Sequence, residues 1–304
     1  MIDLQFSTEV KAAKEAGGAI VALESTIITH GMPYPQNIEV AAQVEQDIRD
    51  AGATPATIAV IEGRLHVGLE PEQLSGLGQA QGVAKLSRAD MAACMATGGT
   101  GATTVAATMI AAHHAGISVF ATGGIGGVHK GAETSFDISA DLHELAQTPV
   151  TVIAAGAKAI LDLNKTLEVL ETLGVPVIAY RQDQFPAFWS AQSTLDAPLR
   201  MDDSADIAKS HAMRRALGLP GGQLVANAIP AQDQIAASEL APIIAQAQAD
   251  ADAHNIAGKS VTPYLLQRIF ERTEGRSLVA NIALVRNNAR LGAKIAQDLQ
   301  KIAR

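Results

Sequence analysis

The side chains best suited to chemistry in this 304-residue chain are a glutamate, a lysine and the glycine-rich loops between them. Glu24 ends an apolar run and opens the string Glu24-Ser25-Thr26-Ile27-Ile28-Thr29-His30-Gly31-Met32-Pro33. Open α/β sheets place ligands beyond the carboxyl ends of their strands. A carboxylate buried under a ligand there suits general acid–base work; a solvated strand-end carboxylate beside a cation is the plainer reading. Lys158 lies in Ala155-Gly156-Ala157-Lys158-Ala159-Ile160-Leu161-Asp162, after a buried run and, on this pattern, at the beginning of a helix. Small apolar neighbours and the positive end of a helix both favour the neutral amine that a Schiff-base nucleophile requires. A lysine snorkelling to the surface fits the same string. Lys85, in Val83-Ala84-Lys85-Leu86, is a second lysine at a strand end, and two converging cations would favour neutral amines further.

Three more segments could bind. In Gly98-Gly99-Thr100-Gly101-Ala102-Thr103-Thr104-Val105, glycines and hydroxyls precede a helical run, which offers backbone N–H groups to an anion. The segment lacks the P-loop ending and the dinucleotide-binding spacing, and a tight turn explains it equally well. Thr122-Gly123-Gly124-Ile125-Gly126-Gly127-Val128-His129-Lys130-Gly131 carries five glycines in ten residues directly after an apolar strand. Such a loop is entropically costly, and its expected gain is close backbone approach to a ligand. In Phe136-Asp137-Ile138-Ser139-Ala140-Asp141, an extended backbone would point Asp137, Ser139 and Asp141 to one side. Two carboxylates and a hydroxyl could hold a hard cation or sugar hydroxyls; alternatively this is a polar strand followed by Asp141 as a helix N-cap. In the last helical stretch, Asn281, Val285 and Asn288 share a face, and buried amides need partners, from a ligand or from a neighbouring loop.

These residues need a scaffold. Apolar runs at Ala19–Leu23, Thr57–Ile61, Ile117–Ala121, Val150–Ala155, Val175–Tyr180 and Leu224–Ala228 read as buried strands of a mostly parallel sheet. Glu62-Gly63-Arg64 reads as a hairpin turn, making the sheet mixed. Helices are expected at Gln36–Ala51, from Ser87 through a capping-box-like Ser87-Arg88-Ala89-Asp90, and at Asn164–Leu173. Ala231–Ala253, Thr262–Thr273 and Ser277 to the end complete the helical set. The expected fold is an α/β/α sandwich around a mostly parallel mixed sheet, with a helical C-terminal layer, as one domain over 1–304.

With 23 basic and 31 acidic side chains, the net charge of −8 disfavours a nucleic-acid groove, though a few local cations can still hold a phosphate. Cys94 is the sole cysteine, so no intramolecular disulfide forms, and it reads as a small apolar residue without an activating neighbour. No signal-peptide core or 18-residue apolar run is present, which leads us to expect a cytoplasmic protein without a membrane span.

Together, Val21–Asn37, Lys85–Asp90, Gly101–Met109, Phe120–Asp141, Ala155–Asp162 and Asn281–Asn288 resemble the pseudouridine-5'-phosphate glycosidase family, also called indigoidine synthase A-like proteins. Ala228 stands where relatives carry a proline. The resemblance implies reversible cleavage of the carbon–carbon glycosidic bond of pseudouridine 5'-phosphate to uracil and ribose 5-phosphate, in pseudouridine catabolism. It implies Glu24 as general acid–base and Lys158 as the covalent lysine, forming an imine with ring-opened ribose. It implies substrate contacts at Lys85, Val105, Ser139, Ala140 and Asp141, with Thr122, His129 and Asn281 also in the pocket. A catalytic Mn²⁺ held by Asp137 and a homotrimer are implied as well. A Schiff-base aldolase acting on a sugar phosphate, or a non-enzymatic sugar-phosphate sensor, would share the lysine or the loops.

Overall fold

The computed structural model of the chain describes residues 3–254, 256, 258 and 261–303. The strands are β1 (Leu4–Phe6), β2 (Ile20–Leu23), β3 (Thr54–Ile61), β4 (Arg64–Val67), β5 (Ala84–Leu86), β6 (Gly101–Thr103), β7 (Val119–Ala121), β8 (Thr151–Ala154), β9 (Val177–Tyr180), β10 (Leu199–Met201) and β11 (Gln223–Ala226). The helices are α1 (Thr8–Glu15), α2 (Thr26–His30), α3 (Gln36–Asp50), α4 (Pro71–Gln79), α5 (Met91–Ala96), α6 (Val105–His114) and α7 (Ala132–Ser135). They continue with α8 (Ala140–Gln147), α9 (Leu163–Thr172), α10 (Ser204–Ala216), α11 (Ala237–Ala253), α12 (Val261–Arg272) and α13 (Arg276–Ala303).

The main sheet runs β1-β4-β3-β2-β7-β8-β11-β9-β10, with β6 on β3 and β5 on β6. Only the β3–β4 and β3–β6 pairings are antiparallel. The six apolar runs all became strands, because strands covered on both faces are largely apolar: β8 and β11 are buried at every position, with a polar residue only at the first. The expected hairpin is a two-residue turn between paired Ile61 and Arg64. Glu62 (φ 50°) and Gly63 (φ 75°) are both left-handed there, the geometry that fits strand twist.

Right-handed crossovers fix the layers. The chain leaves β2 through α3 to β3 on one side, and leaves β7 through α8 to β8 on the other. The helices therefore cover opposite faces, α3, α10 and α13 on one and α6, α8 and α9 on the other. The two winding directions diverge between β2 and β7, which opens a crevice at their carboxyl ends. Amphipathic α13, 28 residues long, packs on β2, β7 and β8 along its buried Leu284, Ala289, Ala293 and Ile295. With α11 and α12 it forms the C-terminal helical layer.

Some boundaries differ. The helix expected from Ser87 begins at Met91: Asp90 Oδ2 accepts from Ser87 N (3.0 Å), so the box closes a turn before the helix. The helix expected from Ala231 begins at Ala237, because Ile235 is tied to Trp189 and Ser190 on a neighbouring loop. Arg304, the end of the last expected helix, lies outside the described residues. β1 and β10, with no fully buried position, and α10, with few, carry too little pattern to be read. Cys94 packs half-buried against the core, and burial, with Asp90 adding to it, pushes its thiol up.

One buried polar cluster makes stability sensitive to pH. His211 on α10 is buried, shares a 3.0 Å hydrogen bond through Nδ1 with Thr151 Oγ1, and has no partner for Nε2. Burial, with Arg215 and Arg214 adding to it, lowers its pKa to about 4. The unfolded chain therefore takes up a proton below about 6.5 that the fold resists, and stability falls as pH drops from there toward 4. We expect His211 to account for roughly 2 kcal/mol of destabilisation between pH 6.5 and 5. In thermal melts, His211→Gln should flatten that part of the acid slope; a slope identical to the parent's would refute it.

Candidate active site

The crevice between β2 and β7 holds the candidate acid–base. Ser25, fully buried, donates to Ile58 O (2.6 Å) and accepts from Thr103 N (2.9 Å), fixing the end of β2 against β3 and β6. Glu24, one residue earlier, is half-buried. Thr122 donates to its Oε1 and Thr26 to its Oε2. Both carboxylate oxygens are thus held by hydroxyls that can follow a changing charge.

The glycine loop after β7 runs from that clamp to the lysine. Thr122 N donates to Ile153 O (2.9 Å), Ala155 N to Gly123 O (2.9 Å), Ile125 N to Gly156 O (3.1 Å), and Lys158 N to Ile125 O (3.1 Å). Further along, Gly126 N donates to Asp141 Oδ2 (2.7 Å), Ser139 N to Gly127 O (3.0 Å) and His129 N to Asp137 O (3.0 Å). One loop therefore sets the backbone of Lys158, Ser139 and Asp137 and the side chains of Glu24 and Asp141. Its four closely spaced glycines have ordinary φ values. What they allow is close approach to protein: a Cβ at Gly124 would lie 2.6 Å from Phe188 Cε2, one at Gly126 would overlap Ser139 Oγ, and one at Gly127 would lie 2.5 Å from Thr166 Oγ1. The expected reason, approach to a ligand, applies only to Gly123, Gly124 and Gly126, which also line the cleft.

That cleft has a volume of about 450 Å³, room for a nucleotide-sized ligand. Glu24, Lys85, Val105, His129, Asp137, Ser139, Ala140, Asp141, Lys158 and Asn281 all line it. Thr122 does not; it sits behind Glu24, in a small apolar pocket of about 30 Å³. Lys158 is half-buried in the loop before α9, which begins at Leu163. The expected helix start is absent because the backbone of 155–162 pairs with the glycine loop instead. Among the described residues its amine makes no hydrogen bond or ion pair. Ser139, not Asp141, caps α8, accepting from Asp141 N (3.2 Å). The Asp141 carboxylate is occupied by Ala106 N (3.0 Å) and Gly126 N, so it joins α6 to the glycine loop. Asn281 accepts from Trp189 Nε1 (2.6 Å) and faces the cleft, whereas Asn288 is wholly buried beneath the loop.

Charge in the cleft is balanced by environment. Burial lowers the pKa of His129, with Asp137 opposing and Lys158 and Lys85 reinforcing; burial and Lys85 lower that of His30 on the wall. Both rings are therefore chiefly neutral donors and acceptors near pH 7. Among the described residues no three His, Cys, Asp or Glu side chains gather as a metal cage. Asp137 lines the cleft, and its carboxylate takes no hydrogen bond among the described residues. A hard divalent ion fits such a single carboxylate if water completes its shell.

The model of the family described as indigoidine synthase A like protein matches residues 9–298. The chain belongs to that family. It is 75% identical to the pseudouridine-5'-phosphate glycosidase of Roseobacter denitrificans, over all of this chain and 98% of that one. The Jannaschia protein of the same name is 68% identical over 98% of this chain and 99% of its own. Among solved structures of the indigoidine synthase A-like fold, the prealnumycin C-glycosynthase in complex with ribulose 5-phosphate superposes with a TM-score of 0.91. The two are 37% identical, over 99% of this chain and 98% of that one. An indigoidine synthase A-like protein of Thermotoga maritima gives 0.90 at 30% identity, over 98% and 97%.

Residues that sequence reasoning did not single out also line the cleft or hold Glu24. Thr26 stands two places after Glu24, a spacing that could have marked it. Thr104 is the residue before α6, and its Oγ1 is buried without a partner among the described residues. Phe188 and, from α12, Thr262, Pro263 and Leu266 also line the cleft; α12 was expected as a helix, but nothing in its sequence aims it at the site. The glycine requirement is testable. Gly126→Ala should lose about 1–3 kcal/mol through overpacking against Ser139. Ser139→Gly, which as an N-cap change costs only tenths, should recover part of it in the double variant. Equal melting of Gly126→Ala and parent would contradict the packing.

Proposed function

We propose that this chain is a pseudouridine-5'-phosphate glycosidase that converts pseudouridine 5'-phosphate and water to uracil and ribose 5-phosphate. The observation that carries the reading is that Glu24 and Lys158 hang from one glycine loop over one cleft, with the lysine amine unpaired by any carboxylate among the described residues. The names of the close relatives and the sugar phosphate bound to the C-glycosynthase support the same substrate class.

The bond to be broken joins two carbons, so protonating a leaving heteroatom, the usual glycosidase device, gains little. In the proposed route the Lys158 amine attacks the anomeric carbon, the bond to the ring oxygen breaks, and Glu24 delivers a proton to that oxygen. The attached nitrogen returns a proton to the Glu24 carboxylate; its lone pair then forms the iminium as the carbon–carbon bond breaks, and the electrons of that bond leave with uracil C5, which takes up a proton. Water adds to the iminium and releases ribose 5-phosphate, restoring the amine. Thr26 and Thr122 hold Glu24 through the change of charge. The proposed place for the phosphate is beside the start of α6, where Thr104 and Val105 line the cleft and the helix dipole favours an anion, although the Asp141 carboxylate already takes Ala106 N. Lys85 adds a cation on the same wall. A bound Mn²⁺, held by Asp137 and water, would supply positive charge for the phosphate or hydroxyls. The proposal extends to a cytoplasmic homotrimer acting in pseudouridine catabolism; among the described residues no helix is long and apolar enough to cross a membrane.

Two measurements test this reading. Purified protein should release uracil from pseudouridine 5'-phosphate, and Glu24→Ala should bind that substrate while losing turnover by at least about 10²-fold. Cleavage of aldol substrates with none of pseudouridine 5'-phosphate would replace the reading with an aldolase. Separately, exhaustive chelation should nearly abolish turnover, with Mn²⁺ restoring it and Asp137→Asn raising the Mn²⁺ concentration required. Full activity in verified metal-free protein would remove the metal from the account.

A further inference from the structure

We infer that Asn288 is a positioning residue for Glu24, acting through Thr122; the inference rests on the acid–base role proposed for Glu24. Asn288 lies on α13 and is wholly buried, remote from the reacting groups. Its Nδ2 donates to Thr122 O (2.8 Å) and, more weakly, toward Gly123 O (3.5 Å). Its Oδ1 accepts from Asn227 Nδ2 (3.0 Å), and Asn227 N in turn donates to Ala154 O (2.8 Å). The amide is thus oriented by a partner on the far side of β8, so the Nδ2 end faces the glycine loop without ambiguity.

Thr122 is the first residue after β7 and has few other restraints. Its N–H is held by Ile153 O, its carbonyl by Asn288, and its hydroxyl is the donor to Glu24 Oε1. Glycine follows at 123 and 124, so the chain beyond gives little stiffness of its own. Removing the carbonyl restraint frees the peptide to rotate and with it the hydroxyl that aims the carboxylate. A buried amide also has a cost when one partner is lost, which explains an Asn–Asn pair here in place of apolar packing. The α13 helix is itself fixed on the same side of the molecule by Arg286 and Arg290 on Asp47 of α3 (2.6 and 2.8 Å).

The test is a double-mutant cycle with pseudouridine 5'-phosphate as substrate. Asn288→Ala should lower kcat by about 10–100-fold, the scale of a misplaced catalytic group, while KM changes by less than about twofold. Thr122→Val, which removes the hydroxyl and keeps the shape, should lower kcat with KM similarly unchanged. In the Thr122→Val background, adding Asn288→Ala should change kcat by less than about twofold. If the two losses multiply, or if KM rises with kcat unchanged, the inference is overturned. Should Asn288→Ala not fold, Asn227→Ala, which removes only the donor to Asn288 Oδ1, enters the same cycle and decides by the same criterion with a smaller loss. Glu24→Ala in the same assay separates the two claims: full turnover there defeats the acid–base reading, whereas an inactive Glu24→Ala beside an unaffected Asn288→Ala defeats the positioning alone.

Discussion

The backbone hydrogen bonds between the glycine loop and the segment after β8 hold the rest of the site in register. Ala155 N to Gly123 O, Ile125 N to Gly156 O and Lys158 N to Ile125 O form a short ladder outside any regular strand. Through it the loop end that clamps Glu24 and the lysine that would take the sugar become one rigid body. Three further site groups attach to the same loop: Asp141 by a carboxylate on Gly126 N, Ser139 by its own N–H on Gly127 O, Asp137 by its carbonyl. The glycines follow from this constraint. Side chains at 124, 126 and 127 would collide with Phe188, Ser139 and Thr166, so the loop can lie flat against its neighbours only without them.

The fold supplies the place for such a loop. Winding in opposite directions from β2 and β7 leaves their carboxyl ends uncovered, and two residues near those ends, Glu24 and Thr122, meet there. On one side the crevice is closed by the start of α6, on the other by α13 and α12. Glu24 therefore sits at the seam of the sheet, where backbone on both sides is fixed by strand pairing. The lysine sits one strand away, in the loop that follows β8, reached by the ladder.

Much of this was legible in the sequence. Buried parallel strands are largely apolar on both faces, so runs such as Val150–Ala155 declared themselves, and Glu24 at a strand end was a natural acid–base candidate. The turn Glu62-Gly63 was legible because so few residue pairs accept two left-handed positions. Lys158 lines the cleft, but the helix start expected for it is absent. Ala157-Lys158-Ala159-Ile160-Leu161 has helix-forming residues, but tertiary hydrogen bonds from the glycine loop took the backbone groups a helix would need. The glycines were read as space for a ligand, when most of that space is used by protein side chains that only the folded chain brings near. Asp141 looked like a free carboxylate for the same reason: its two partners, Ala106 N and Gly126 N, are 35 and 15 residues away. Thr104 stood in the segment expected to meet an anion without being singled out, α12 was legible as a helix but not as a wall of the cleft, and Phe188 left no local trace at all.

The covalent role of Lys158 is the claim on which the proposed chemistry turns. Its most direct test is borohydride added to the protein with ribose 5-phosphate, followed by peptide mass analysis. The account predicts one pentose-phosphate adduct, on the peptide containing Lys158, and neither adduct nor cleavage in Lys158→Ala. An adduct on Lys85 in its place, or pseudouridine 5'-phosphate cleaved at full rate with no adduct anywhere, would contradict it.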